Sequence, residues 1–234
     1  MAGADPFAEI TVEEVLLDAP LAAADEVAAW PIEGPGVLSF PLGRMRFEST
    51  GDPDDGQMAN TVVWCDKEWP DHIRVSWDFY PLREPGLAIL FFAAVGHGGR
   101  SVLDPSLAQR TGPYEQYMRG DIDALHVSYF RRRLPKEIRF HTSNLRKSHG
   151  FHLVCQGADP IPTIHQVDPP YRISLVKSGP WVRFAIDDLE LWRWCDDGET
   201  YGPILTGGHI GFRQMAPFIA EYANLLIERI TPLA

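Results

Sequence analysis

Apolar and polar residues alternate with a period of two through most of this chain. In Ile73–Tyr80, Val75, Trp77 and Phe79 alternate with Ser76, Asp78 and Tyr80, so the two sets face opposite sides of a sheet. Leu87–Val95 (LAILFFAAV) is apolar at every position, the pattern of a central strand covered on both faces. Val37–Phe40, Arg44–Glu48, Thr61–Cys65, Leu125–Arg133, Ile138–Leu145 and His209–Met215 read as further strands. Turn signals at Ser178-Gly179-Pro180 and Asp187-Asp188 divide Tyr171–Trp194 into three more. Asp25–Trp30 fits one helical turn that seats Trp30, and GDPDDG (51–56) reads as a solvated turn. The polar stretch from Gly96 to Gly120 is longer than ordinary connections, which marks it as functional. The spacing of Ala216–Ile230 suits a strand or an amphipathic helix equally. About a dozen short strands with regular turns predict an all-β sandwich of two stacked antiparallel sheets. We read residues 1–234 as one domain, with 1–9 as a flexible lead-in.

Composition narrows the class. Of 234 residues, 45% are hydrophobic and 23% charged, as in a globular protein with a real core. The net charge of -11 argues against nucleic acid or an acidic membrane surface as partner. No apolar run is long enough to span a bilayer. The charge is uneven, however. Residues 131–147 hold seven of the 21 basic side chains with Glu137 as the only acid, a local balance of +6 against -17 elsewhere. The N-terminus has neither a basic nor an apolar signal region, and Cys65, Cys155 and Cys195 show no framework spacing. Both features predict a reducing, cytoplasmic compartment.

Four of the eight histidines fall between His126 and His152, in the same region as the basic segment. On its first strand, Leu125 and Val127 are expected to point to the core, and His126, Ser128 and Phe130 to the open face. Asn144, Arg146, Lys147, His149 and His152 follow. Such a set suits a sugar acid: arginine offers a fork to a carboxylate, lysine a point charge, Asn and His hydrogen bonds to hydroxyls. Tyr80, Trp181 or Phe130 would stack on a pyranose. Asp78, on the face opposite Trp77 and Phe79, suits either an acid–base role or a structural bond to a neighbouring strand. No GxSxG, GxGxxG or P-loop motif occurs, and His141, His149 and His152 lack zinc-site spacing. We therefore expect neither a cofactor nor a metal.

Four stretches carry a more specific signal: VSWDFYPLREPGLAILFFAA (75–94), DPSLAQRTGPYEQYMRGDIDALHVSYFRRR (104–133), NLRKSHGFHLVCQGADPIP (144–162) and DDGETYGPILTGGHIGFRQMAP (196–217). Together they resemble the bacterial YesU family, a domain of unknown function. The resemblance covers the chain from about Trp30 onward. It implies a concanavalin A-like jelly roll with its site on the concave sheet. It also implies, through the rhamnogalacturonan-utilisation context of the family, a role in breaking down acidic plant oligosaccharides. The tail then becomes a last strand with Tyr222, Asn224 and Leu226 on one face. The ExDxxE strand of laminarinase-like hydrolases and the QIH strand of one alginate-lyase group are absent, His165-Gln166-Val167 having the wrong order. The family supplies no established catalytic residues.

These readings converge on an enzyme that cleaves a glycosidic bond in a small, uronic-acid-containing oligosaccharide. In a lyase, Arg146 or Lys147 would neutralise the carboxylate, with His152 or Tyr129 as base. In a hydrolase, Asp78 would be the acid or base. Rival readings are a non-catalytic sugar-binding or sensing protein and a sugar isomerase or epimerase; oligomeric state is not legible. The cysteine reading is directly testable. Thiol titration of the denatured, non-reduced protein should find three free thiols, and a count of one would reveal a disulfide.

Overall fold

The alternating segments pair into two antiparallel sheets in the computed structural model, which describes residues 5–233. In chain order the strands are β1 (Val12–Ala19), β2 (Ile32–Glu33), β3 (Gly36–Ser39), β4 (Met45–Ser49), β5 (Thr61–Trp69), β6 (Ile73–Arg83), β7 (Leu87–Gly96), β8 (Ile122–Tyr129), β9 (Thr142–Ser148), β10 (His152–Ala158), β11 (Tyr171–Ser178), β12 (Trp181–Ile186), β13 (Leu189–Cys195), β14 (Gly208–Met215) and β15 (Ile219–Ile230). Sheet A runs β13-β12-β11-β6-β15-β4-β3 with β1 also on β15, and sheet B runs β10-β9-β8-β7-β14-β5-β2. Among the described residues no helix is long and apolar enough to cross a membrane.

The inward set of each strand forms the main core. Val75, Trp77 and Phe79 of sheet A pack on Leu90, Phe92, Val127, Tyr129 and Phe212 of sheet B. Trp77 meets Phe212 edge-on at 5.6 Å and donates its indole N–H to the Tyr129 hydroxyl at 3.3 Å. Sheet B is apolar on its outer face too. There Val62, Trp64, Ile89 and Phe91 form a second cluster with Val102, Leu107 and Tyr117 of the 97–121 segment. That long connection is thus a packed plate, with a short helix α1 (Glu115–Met118) in it. Polar anchors hold it. Tyr117 donates to Glu33 at 2.8 Å, Arg110 pairs with Glu33 at 2.7 Å, and Ser101 bonds His209 at 2.8 Å.

Several expectations change. Ile138–Leu145 is not one strand. Pro135–Phe140 forms a helix α2, because Pro135 fits a first helical turn and the Glu137 carboxylate accepts the backbone N–H groups of Arg133 and Leu134. Phe130 does not face outward: at φ 46° it turns into the core against Phe79 and Phe218. The tail is a strand, but it bulges at Asn224, whose φ is 52°. Tyr222 therefore points into the core while Asn224 bonds Asp78 outside it, so the expected shared face of Tyr222 and Asn224 is lost. Phe7 is buried against Val176 and Ala185 on the outer side of sheet A, so the lead-in is docked there; residues 1–4 lie outside the described residues. Asp25–Trp30 behaves as expected, with a 3-10 turn at Ala24–Val27 and Trp30 buried.

Trp77 sits where both sheets meet, wholly buried. Trp77→Ala should lower the unfolding free energy by about 3–5 kcal/mol, the cost of emptying so large a site. Urea titration reads this directly, and a loss below about 1 kcal/mol would show that the sheets do not meet there.

Candidate functional site

Strands β8 and β9 bring the expected polar residues side by side on the outer face of sheet B. In that ladder His126 lies opposite Arg146, and Ser128 opposite Asn144. These positions alternate with the core residues Leu125, Val127 and Leu145, so all four face away from sheet A. Next to them on β10, the Gln156 side-chain amide meets that of Asn144 at 2.7 Å. On β14, across β7, Arg213 occupies the same face, since Arg213 pairs with Ile89 and Ile89 with Ser128.

The plate supplies the roof. Tyr114, just ahead of α1, places its hydroxyl on His126 Nε2 in a very short hydrogen bond. Its ring meets Phe151 edge-on at 5.7 Å. Phe151 in turn carries the Arg146 guanidinium on its face at 3.8 Å and offers its carbonyl to Nη1 at 3.2 Å. About half of Phe151 is exposed (47%), so a ring face remains open beside a cation.

Electrostatically the site is one-sided. Burial pushes the His126 imidazole down to about 3, and the positive charges of Arg146 and Arg213 add to the effect. Burial also raises the Tyr114 phenol to about 12, against the pull of Arg213, Arg146 and Arg131. At neutral pH both groups are therefore uncharged, and every charge acting on them is positive. Within the basic segment the one carboxylate, Glu137, is held by Arg131 at 2.5 Å. His126 Nδ1 is buried with no partner.

The other expected site residues lie elsewhere. Tyr129 is in the core between Trp77, Phe79 and Phe184; burial holds its phenol well above the ordinary range, and no ligand on either outer face can touch it. Lys147 points inward and is consumed by Asp196 at 2.7 Å and the Gly202 carbonyl at 2.8 Å. His152 begins edge strand β10 and stacks on Tyr201 at 4.3 Å. Trp181 belongs to sheet A, paired with Ser178 and Cys195. Asp78 and Tyr80 are on the outer face of sheet A, the far side of the molecule from His126. Tyr80 lies under the Arg44 guanidinium at 4.1 Å.

Asp78 lines a surface cleft of about 840 Å³ with Arg74, Ser76, Arg172, Asp187 and Asp188. Its arginines are already engaged, while Asp168 and Asp188 leave the lining net acidic. Asp78 accepts from Arg172 at 3.1 Å and Asn224 at 2.6 Å, Arg74 pairs with Asp5 and Glu228, and Asp187 accepts the Arg172 backbone N–H. No aromatic ring lines it. We therefore place the candidate site on sheet B. Among the described residues no cluster of His, Cys, Asp and Glu could hold a metal, and all three cysteines are free.

Sequence reasoning missed Tyr114, Phe151 and Arg213. Tyr114 and Phe151 lie outside any alternating strand, so periodicity said nothing of them. Arg213 did leave a signal, as a lone cation within the alternating strand His209–Met215.

This geometry can be set beside known proteins. Residues 14–227 match the model of a family described as "Domain of unknown function (DUF1961)". The chain is 48% identical over 210 residues to the uncharacterised protein YesU of Bacillus subtilis (strain 168), covering 90% of this chain and 93% of that one. A crystal structure of a protein of unknown function with a galectin-like fold from Bacillus subtilis superposes with a TM-score of 0.92 at 45% identity, over 96% of this chain and all of that one. The carbohydrate-binding module CBM66 from Bacillus subtilis shares the fold alone, with a TM-score of 0.55 at 12% identity over 86% of this chain and 95% of that module. The chain belongs to the DUF1961 family, with the galectin-like β-sandwich.

Proposed function

We propose that this protein cleaves a uronic-acid-containing oligosaccharide by β-elimination on the outer face of sheet B. The observation that carries this reading is the Tyr114–His126 pair, neutral and hydrogen-bonded, in a field made only of guanidinium groups. The galectin-like fold, shared with a carbohydrate-binding module, supports a sugar ligand, and the exposed face of Phe151 suits a pyranose ring. Free thiols support a reducing, cytoplasmic setting.

The steps follow from the placement. Arg146 and the Asn144 amide bind the uronate carboxylate, which makes the C5 proton more acidic. The Tyr114 oxygen takes that proton while its own hydroxyl proton passes to His126 Nε2. The C5–H pair forms the C4=C5 double bond, the C4–O4 bond breaks, and the Tyr114 hydroxyl returns a proton to O4. His126 starts neutral because burial and two guanidinium groups disfavour its charge. The incoming carboxylate offsets those groups, so the imidazole accepts a proton more readily with substrate bound. Hydrolysis would need two carboxylates flanking one bond. The paired carboxylates of the Asp78 cleft are the fallback for that chemistry, with Asp187 raised by burial.

Incubation with a uronate oligosaccharide should generate the ultraviolet absorbance of an unsaturated uronate, and Tyr114→Phe should reduce its rate about 10²–10⁴-fold, the usual share of a general acid–base group. Reducing ends without that absorbance, lost in Asp78→Asn instead, would move the chemistry to the other face. Binding without any product would leave a sugar-binding protein.

The relay also requires a neutral His126 in the free protein. Its ring signals in NMR should stay constant from about pH 8 to about pH 5, below the ordinary histidine value of about 6.5. Protonation within that range would remove the relay.

A further inference from the structure

The chain buries four arginines, Arg110, Arg132, Arg183 and Arg213. Three have carboxylate partners: Arg110 with Glu33, Arg132 with Asp159, and Arg183 with Glu9 and Glu190. Arg213 has none. Its Nη2 donates to the Gly112 carbonyl at 3.0 Å and to Gln57 at 3.3 Å, while Nε and Nη1 have no partner. The Tyr114 and Tyr117 rings lie at 5.1 and 5.8 Å from its guanidinium. Burial lowers its pKa to about 10, yet it remains a cation at neutral pH. An uncompensated buried charge is strongly destabilising, and at the other three buried arginines the fold supplies an acid.

We infer that Arg213 is the specificity-determining residue of the site, a seat for a second ligand carboxylate, beside the one on Arg146, that opens when the Tyr114 ring tilts with its hydroxyl still on His126. This rests on the reading of the sheet B face as the sugar site. Two features place the seat there. Arg213 lies on the same face as His126 and Ser128, and its charge acts on both His126 and Tyr114. The roof is also divided into a fixed and a movable part. Gly112, at φ 115°, sits so close to Asn60 that a Cβ would lie 2.2 Å from its carbonyl, so this residue is clamped. Tyr114, two residues on, is held by its hydroxyl to His126 and by ring contacts. A carboxylate entering under it finds two free donors on Arg213 and a third polar atom in His126 Nδ1. Arg146, already over Phe151, keeps the carboxylate beside the C5 proton.

Calorimetry with a uronic-acid disaccharide and its methyl ester tests this in the intact protein. Wild type should prefer the acid. Arg213→Gln, which keeps donors for Gly112 and Gln57, should weaken the acid about 10- to 150-fold, as loss of hydrogen bonds to a charged group implies, and leave the ester nearly unchanged. Arg213→Lys keeps the charge but not the fork, so it should retain part of the preference. Urea midpoints identify any variant that has merely lost its fold. If Arg213→Gln folds and binds both ligands as wild type does, while Arg146→Ala loses the acid, Arg213 only staples the plate and this inference falls while the acidic-sugar reading stands. If wild type binds neither ligand, both fall.

Discussion

Sheet B carries apolar side chains on both faces, and the site depends on that constraint. A strand such as β7, with Ala88, Leu90 and Phe92 inward and Ile89 and Phe91 outward, cannot leave its outer row in water. At roughly 25 cal/mol per Å², exposing Trp64, Ile89 and Phe91 would cost several kcal/mol. The 97–121 segment removes the problem by folding down as a third layer. It reaches only part of the sheet, however. Over β5 and β7 the contact is apolar; on β14 Arg213 interrupts it, and past β7 the sheet turns polar at His126, Ser128, Asn144 and Arg146. Tyr114 stands at that border, which is why one ring touches a histidine, a phenylalanine and a buried arginine at once.

The same border explains the electrostatics. An acidic protein gathers its positive charge at 131–147, but much of that charge is spent on structure. Arg131 closes on Glu137, Arg132 on Asp159, and Lys147 on Asp196. Lys136 and Arg139 lie on α2 and Arg133 donates to the Ala216 carbonyl, so on the outer face of sheet B the segment leaves Arg146, joined there by Arg213 from far away in sequence. The count of basic residues thus overstated the segment, while topology added a cation that the count did not contain.

The sandwich was legible because period-two alternation is a local signal and each strand carries its own copy. Its failures have local causes as well. Ile138–Leu145 alternates acceptably, but Pro135 and Glu137 start a helix that the alternation cannot see. Phe130 and Asn224 alternate correctly on paper, and a positive φ at each rotates the chain out of phase. Of the site, His126, Asn144 and Arg146 were readable since they sit on paired strands at fixed parity. Alternation put Asp78 and Tyr80 opposite the core aromatics and residue type suggested Trp181, but neither signal can tell which sheet a strand joins. Tyr129 has the parity of Leu125 and Val127, so its burial was implicit in the alternation already used to point His126 outward.

Burial and charge act together at His126 in a way that favours catalysis over simple capture. A binding protein needs donors for hydroxyls and an aromatic floor, and a neutral, enclosed imidazole contributes little to either. The imidazole here is fastened to a phenol, and burial, joined by two guanidinium groups, holds its basicity down. An anion on those groups would lift their share of the restraint while burial's stays, so under the proposed β-elimination the proton acceptor would strengthen with the correct charge in place. Such coupling would tie recognition of a carboxylate to proton transfer through the same few side chains. A neutral sugar on Phe151 would leave the field unchanged and His126 a poor base, so selection for acidic ligands would occur in the chemical step as well as in binding.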